Sequence, residues 1–354
     1  MWVTSSLETA KVPASVALGN FDGVHLGHQQ VIRPILQLPT GQANRVPSLQ
    51  LSGQVADCLH ESAIASGYSH WQGAARPDLP SAIATAPHPT VVTFFPHPRE
   101  FFSGQIRPLL TPLAEKSLRL AQLGVDQLLL LPFNQALAAL SPQDFVEKIL
   151  IQGLQAQRIS VGSDFRFGRG RAGDAEMLSA IAAAYGVAVT VVPLKLETDE
   201  RISSSRIRQA LQAGNLPEAN RLLGRTYTLT GRVVQGQQLG RTIGFPTANL
   251  KLPADKYLPR SGVYSVWVYG AATGLEPPCA GVMNIGHRPT VAGQHLSVEV
   301  HLLDWSADLY GRTLTVSLEN FLRPEQKFAS VDALKQQIEA DCRTAIALLK
   351  TPSA

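Results

Sequence analysis

Ala14 to Leu18 is a short, mostly apolar run of strand length, and Leu26, Val31, Ile32 and Ile35 follow at helical spacing. Gly19-Asn20-Phe21-Asp22-Gly23-Val24-His25-Leu26-Gly27-His28 joins the two. The pattern predicts a buried strand, a tight glycine turn and the start of a helix. It then repeats. Thr90 to Phe95 is a β-branched and aromatic strand, stopped by Pro96-His97-Pro98-Arg99. Asp126–Leu131, Arg158–Val161 and Val187–Leu194 read as further buried strands. Helices are expected from Thr111-Pro112 to Leu123, from Ser141 to about Gln152, from Asp174 to Tyr185, and from the serine-rich entry at 201–208. Strands alternating with helices predict an α/β unit with a parallel sheet.

Beyond Leu223-Gly224 the texture changes. Tyr227–Val234, Val263–Tyr269 and Ser297–Leu303 alternate as strands, with glycine turns between them. Such strands suggest a small antiparallel β-barrel. A final helix, Val331 to Leu349, is expected to cover one side through Leu334, Ile338, Cys342 and Ile346. These readings give two domains, 1–224 and 225–354, the second expected to fold alone. Between about 40 and 88 the chain is rich in Ser, Ala, Gly, Gln and Pro and loses its period. It reads as a mobile insertion, with a short helix near 55–65 and dispersed histidines that need no role.

Composition narrows the field. A 354-residue chain with 45% hydrophobic residues can fill two cores. The net charge of +4 comes without a long Lys/Arg run, so anionic small molecules fit better than nucleic acid. Cys58, Cys279 and Cys342 form no CxxC and no disulfide framework, which suits a cytoplasmic setting. The first residues lack the apolar core of a signal peptide, and no apolar run reaches the ~18 residues of a membrane span.

The first turn carries chemistry. At the carboxyl end of a strand in an open α/β sheet, a helix N-terminus offers free N–H groups to a phosphate. His25 and His28 share one face of that helix start, and Gly27 leaves room for a phosphate near the backbone. Two other readings stand beside this one: a metal pair, for which no further ligand is nearby, and an ordinary polar helix start.

Three more stretches are rich in anion-binding residue types. Gly162 to Gly173 holds a formal G-x-G-x-x-G at Gly168, Gly170 and Gly173, but six residues separate it from its strand, a poor context for a dinucleotide fingerprint. Arg201-Ile-Ser203-Ser204-Ser205-Arg206-Ile-Arg208 sets three hydroxyls among three arginines. Capping explains one or two of the serines, and a polyphosphate suits the group better. Gly240-Arg-Thr-Ile-Gly244-Phe-Pro246-Thr247-Ala-Asn249 is a glycine loop before a strand. No Walker A motif occurs in the chain.

Together these stretches resemble one family. GNFDGVHLGH resembles the His-x-Gly-His signature of nucleotidylyltransferases, and in its full form the bacterial bifunctional riboflavin kinase/FMN adenylyltransferases. The Pro-His-Pro segment, the Gly-x-Asp-Phe-x-Phe-Gly loop and the Ile-Ser-Ser-Ser-Arg-Ile-Arg helix start are similar to that family's motifs, with Ser205 where the family has threonine. Gly240–Asn249, Gly262-Val-Tyr264, Asn284–Thr290, Glu299–Asp304, Asp308–Gly311 and Phe321-Leu-Arg323 resemble its riboflavin kinase half. The resemblance implies a Rossmann-like nucleotidylyltransferase domain followed by a barrel kinase domain. It implies riboflavin, FMN and ATP as substrates and Mg2+ as cofactor, and it leaves oligomerisation open. For adenylylation it implies His25 and His28 as catalytic. Gly19, Phe21, Gly27, Arg201, Ser204, Ser205 and Arg208 would bind ATP, while Asp164, Phe165 and Arg166 would contact flavin. For the kinase it implies Glu299 as general base on a strand facing the barrel mouth, Gly240, Gly244 and Thr247 on ATP, Thr247 and Asn249 on magnesium, and Asp304 and Arg323 on flavin. A chain with one surviving activity and a non-catalytic flavin binder are the competing classes; a dehydrogenase using the glycine motif is a distant alternative.

Overall fold

The computed structural model describes residues 1–36, 50–51, 86–197, 200–236, 239–270, 275–290 and 293–349. By contacts the chain forms two compact units, Met1–Arg107 with Thr111–Ile202, and Pro108–Leu110 with Ser203–Ala354.

The first unit is a seven-stranded parallel sheet in the order β3-β1-β5-β4-β2-β6-β7. Its strands are β1 (Trp2–Thr4), β2 (Ala14–Leu18), β3 (Gln50–Leu51), β4 (His88–Phe95), β5 (Gln127–Pro132), β6 (Ala156–Gly162) and β7 (Ala188–Val192). The near-continuous apolar runs follow from cover on both faces, the usual condition of a parallel sheet. Val16, Leu18, Val92, Leu129, Ile159 and Val161 pack on one side with Phe145, Ile149, Leu150 and Leu178. Ala17, Val91, Leu128 and Leu130, one residue out of phase, pack on the other with Val31, Ile32, Ile35 and Leu120. Each fully buried aliphatic side chain in these layers contributes roughly 1.5–3 kcal/mol.

The helices that matter for the site are α1 (Leu26–Ile32), α2 (Pro98–Ser103), α3 (Leu113–Gln122) and α4 (Ala175–Ala183). The segment expected as one helix after Ser141 is one turn at Pro142–Asp144 running into a π-helix, Phe145–Gly153. β1 and β3 are too short to show a period of their own, and β3 falls within the expected insertion. The remainder of that insertion, including the expected helix at 55–65, lies almost wholly outside the described residues. A small ribbon, β8 (Leu196–Glu197) with β9 (Glu200–Arg201), leads out of the unit.

The second unit is a closed barrel in the order β10-β11-β14-β13-β12-β15. Its strands are β10 (Thr228–Val234), β11 (Ala248–Lys251), β12 (Gly262–Gly270), β13 (Leu275–Thr290), β14 (Gly293–Leu302) and β15 (Thr313–Arg323). Two helices, α5 (Ser204–Ala213) and α6 (Leu216–Leu223), group with the barrel by contacts, although they precede the expected boundary at 224/225. Asn220 on α6 ties them to it, donating to the Leu318 carbonyl at 3.3 Å and accepting the Tyr227 amide at 2.8 Å.

The closing helix α7 (Val331–Leu348) is capped by Ser330. It covers the barrel through Cys342, Ala345 and Leu349, against Val263, Trp267, Ala280, Val282 and Leu322. Ile346, expected on this face, is 58% exposed. A run of four-residue steps drifts off the face of a 3.6-residue helix, and a three-residue step to Ala345 restores the contact.

Candidate active sites

Three loops leave the carboxyl ends of the adjacent central strands β4, β2 and β6. Beyond β2, Gly19 N–H donates to the Val92 carbonyl at 3.2 Å. The turn then takes left-handed backbone at Phe21 (φ 48°), Gly23 (φ 89°) and Val24 (φ 41°). For Phe and β-branched Val this conformation costs of order 1–3 kcal/mol each and persists only where the surroundings impose it. Here they do. Thr93 and Lys116 both donate to the Asn20 carbonyl, at 3.2 and 3.0 Å. The Gly23 amide donates to the Thr111 hydroxyl at 2.9 Å, and the Thr111 amide to the buried Asp22 carboxylate at 3.3 Å.

His25 is the N-cap of α1. Its Nδ1 accepts the His28 amide at 3.2 Å, and the residue is 5% exposed. The two imidazoles lie face to face, with centroids 3.6 Å apart and planes within 12°. Phe21 meets the His28 ring edge-on at 5.3 Å. With one His25 nitrogen spent on the cap and the rings stacked, the pair does not converge on a shared point as metal ligands would. Among the described residues no group of three His, Cys, Asp or Glu side chains could hold a metal. A Cβ at Gly27 would lie 3.2 Å from the His25 ring, so the glycine makes room for that ring.

Beyond β4, His97 caps α2. It accepts the Arg99 amide at Nδ1, and Glu100 closes the box on the His97 amide. Burial, then Arg107, lowers its pKa to about 4, so the imidazole is neutral near pH 7. Beyond β6, Phe165 stacks on Phe167, and Phe167 packs against Phe145. Arg166 pairs with Asp174, the cap of α4, at 2.9 Å, and Arg201 pairs with Asp164. The glycines of the formal dinucleotide motif serve packing. A Cβ at Gly168 would reach Pro142 at 2.9 Å, and one at Gly173 would reach the Phe167 ring at 2.7 Å. They shape this loop and do not open a helix directly after a strand, so the fingerprint reading fails.

In the second unit, Ser203 caps α5 by accepting the Arg206 amide. Arg206 is held by Glu218 at 2.6 Å. Ser204 and Ser205 stand in the first turn, Ser205 exposed, and Arg208 reaches the Pro108 carbonyl at 3.1 Å.

On the barrel, Asn249, Glu299 and Asn284 are direct partners across β11, β14 and β13. Val298 and Val300, flanking Glu299, are buried inside with Ala248, Met283 and Ile285. Pleating therefore turns Glu299 to the outer face of the barrel, where it is half-buried, and not into its mouth. Thr247 Oγ1 donates to Glu299 Oε2 at 3.3 Å. Beside this row the segment 240–246, which starts in the helical turn Leu239–Thr242, folds back, with Phe245 N–H donating to the Gly240 carbonyl at 2.8 Å. A Cβ at Gly240 would collide with the Phe245 carbonyl at 2.3 Å, and Gly244 sits at φ 92°. A groove of about 550 Å³ runs along this loop, lined by Gly244, Phe245, Pro246, His301, Asp304, Trp305 and, on α7, Glu339, Cys342 and Arg343. It brings Gly244 and Asp304 together; Thr247 and Glu299 do not line it. Arg323, expected at a flavin, holds Asp341 of α7 through three hydrogen bonds of 2.8–3.1 Å.

Residues 223–349 match the family model for riboflavin kinase, and residues 7–50 with 81–206 match that for FAD synthetase. The bifunctional riboflavin kinase/FMN adenylyltransferase of Escherichia coli K12 is 40% identical over 331 residues, spanning 93% of this chain and 91% of that one. The Pseudomonas fluorescens protein of the same name is 40% identical over 338 residues, 95% and 93% of the two chains.

The chain belongs to the bifunctional riboflavin kinase/FMN adenylyltransferase family. It is an enzyme with both activities that the family name states. A crystal structure of a macrolide-efflux protein from Streptococcus pneumoniae is also similar, with TM-score 0.74, 29% identity and coverage of 97% of this chain and 98% of that one. Among the described residues, no helix of this family member is long and apolar enough to cross a membrane.

The sequence reading overlooked three residues that shape these sites. Lys116 is hidden in an ordinary amphipathic helix. Asn284 was legible as part of a motif but not as the partner of Glu299. Gly236 leaves the space the Asn249 side chain occupies: a Cβ there would lie 2.3 Å from its Nδ2.

Proposed function

We propose that residues 1–224 adenylylate FMN and residues 225–354 phosphorylate riboflavin, in the cytoplasm and on small-molecule substrates alone. The carrying observation is that each half has its own donor set on its own framework: the strained turn with its histidine pair in one, the Thr247–Asn249–Glu299–Asn284 row in the other. Relatives matched over nearly their whole length favour two activities over a single surviving one or a non-catalytic flavin binder.

In the kinase, the ribityl hydroxyl of riboflavin is a weak nucleophile. Glu299 takes its proton as the oxygen attacks the γ-phosphate of ATP and ADP leaves. Thr247, donating to one carboxylate oxygen, orients the carboxylate. The loop from Gly240 to Gly244 covers the phosphates, and Asp304 and Arg323 contact the flavin, Arg323 from its place beside Asp341. The donors fit magnesium, which prefers oxygen and is usually held by few protein groups plus phosphates. Thr247 and Asn249 would hold it. When bound, it neutralises phosphate charge in both reactions.

In the adenylyltransferase, the FMN phosphate is already anionic and needs no base. Its oxygen attacks the α-phosphate of ATP and pyrophosphate leaves. His28 and the amide end of α1 stabilise charge at the α-phosphate, and His25 fixes their geometry and adds its own ring. Gly19, Phe21 and Gly27 shape the nucleotide turn. Arg201 binds the ATP phosphates, while Asp164, Phe165 and Arg166 contact the flavin. The surface pair Arg201–Asp164 contributes little to stability, so its groups can be redirected to a ligand at small cost.

Incubation with riboflavin, ATP and magnesium, followed by chromatography, should give FMN first and FAD after it. FMN alone would leave a kinase only, and neither product would leave a binder.

A further inference from the structure

We propose that Lys116 is a positioning residue for FMN adenylylation, its ammonium setting the path of the turn between β2 and α1. This rests on reading the first unit as the adenylyltransferase. Lys116 lies on α3 and is 8% exposed. Packing does not account for it, because a methionine would fill similar space without the cost of desolvating a charge. What the ammonium does is donate to the Asn20 carbonyl at 3.0 Å, while Thr93 donates to the same oxygen from β4 at 3.2 Å.

Two donors on one oxygen fix the plane of the Asn20–Phe21 peptide. In a trans peptide the carbonyl and the following N–H point opposite ways. Holding the carbonyl toward Lys116 and Thr93 therefore turns the Phe21 N–H away from them. It also holds Phe21 at its positive φ, with its ring against the edge of His28. The second clamp comes from the entry to the same helix, where Thr111 accepts from Gly23 and donates to Asp22. The start of α3 thus grips the turn at Asn20 and again at Asp22–Gly23. Lys116 acts through the backbone that aims the two histidines.

The test uses the full chain, with K116M, K116R and T93V. Steady-state FMN adenylylation is measured per binding-competent site, counted by calorimetric ATP titration, with riboflavin phosphorylation in the same sample as internal control. Misplacing reacting groups by about 1 Å costs up to about a hundredfold in rate, so K116M should lower adenylylation kcat per site by roughly ten- to a hundredfold. The KM for ATP should change far less, riboflavin phosphorylation should be unchanged, and K116R should recover part of the loss. T93V should lose kcat in the same direction, by less. A parental kcat per site in K116M overturns the proposal. So does a loss in K116M that appears only as fewer binding sites, which would make Lys116 a stability residue. If K116M does not fold, T93V decides, and a parental kcat per site there overturns the proposal. A parental chain that makes no FAD at all would instead defeat the reading on which the proposal rests.

Discussion

His25 and His28 stack as parallel rings 3.6 Å apart while the His28 amide donates to His25 Nδ1, so one histidine is positioned by the other. The two should therefore fail differently. His28→Ala removes a donor and leaves the cap, so FAD formation should fall by about 10²–10³ while FMN accumulates. His25→Asn keeps a capping acceptor and removes the ring beneath His28. It should retain the folding midpoint and lose part of the adenylylation rate. Chromatography of both flavins over time checks each variant; a His28→Ala chain that makes FAD at the parental rate would remove His28 from the mechanism.

Glu299→Gln preserves shape and the hydrogen bond from Thr247 while removing the basic carboxylate. Riboflavin phosphorylation should fall by about 10²–10⁴, the usual contribution of a general base. Nucleotide titration with magnesium should be little changed, since Thr247 and Asn249 remain. Full turnover in this variant would move the search for a base to Asp304.

Asp341 is 7% exposed as a side chain and pairs with Arg323 at 18%. Removing one partner of a fully buried pair costs about 3–5 kcal/mol, and a partly buried guanidinium left without its carboxylate costs less than that. Asp341→Ala should show this as an early melting transition of the barrel unit. Arg323→Met removes the cation at a position assigned to flavin and should additionally raise the KM for riboflavin. Equal riboflavin KM in both variants would leave Arg323 a role in stability alone.

His97 titrates at about 4 in the folded chain, against an ordinary value near 6.5. Between those values the unfolded chain takes a proton that the folded chain does not. The contribution to stability is therefore whole above about pH 6.5 and is lost as pH falls toward about 4. His97→Asn keeps an N-cap acceptor without the titration. Its denaturation midpoint should vary less with pH across this window than that of the parent; an identical slope would place the titrating group elsewhere.

A riboflavin kinase fragment beginning at Arg225 would lack α6, whose Leu216, Ala219, Leu222 and Leu223 are fully buried. A fragment beginning at Ser203 keeps α5 and α6 and should be the more stable and the more active of the two. Circular dichroism melts and riboflavin phosphorylation of both fragments test this, and equal stability would show α6 to be dispensable.

Much of this was legible in the chain. Buried strands such as Ala14–Leu18 announce themselves because both faces are covered, and the barrel strands because only one is. The alternation around Glu299 was also readable, yet its register partners were not. Asn249 and Asn284 lie far from it in sequence, and only strand pairing sets them opposite. Arg323 was legible as a charged residue in a motif, but its pairing with Asp341 was not, because only the fold brings the closing helix to it. Lys116 gave no signal, because a lysine in an amphipathic helix normally faces water. The drift at Ile346 came from stepping by four along a helix whose repeat is shorter.

The three residues Pro108–Leu110 count with the barrel although the chain on either side of them counts with the sheet. Leu109 donates to the Asp255 carbonyl at 2.6 Å and accepts from Tyr257 at 2.8 Å, and Lys256 reaches the Leu110 carbonyl at 2.9 Å. The next residue is Thr111, which grips the nucleotide turn. No single cut can then divide this polypeptide into two pieces that each hold one whole unit. A gene split anywhere between the halves would leave the kinase short of a tripeptide, so fission of this enzyme into two independent proteins would strip the barrel of hydrogen bonds that it now takes from a segment inside the other half's chain.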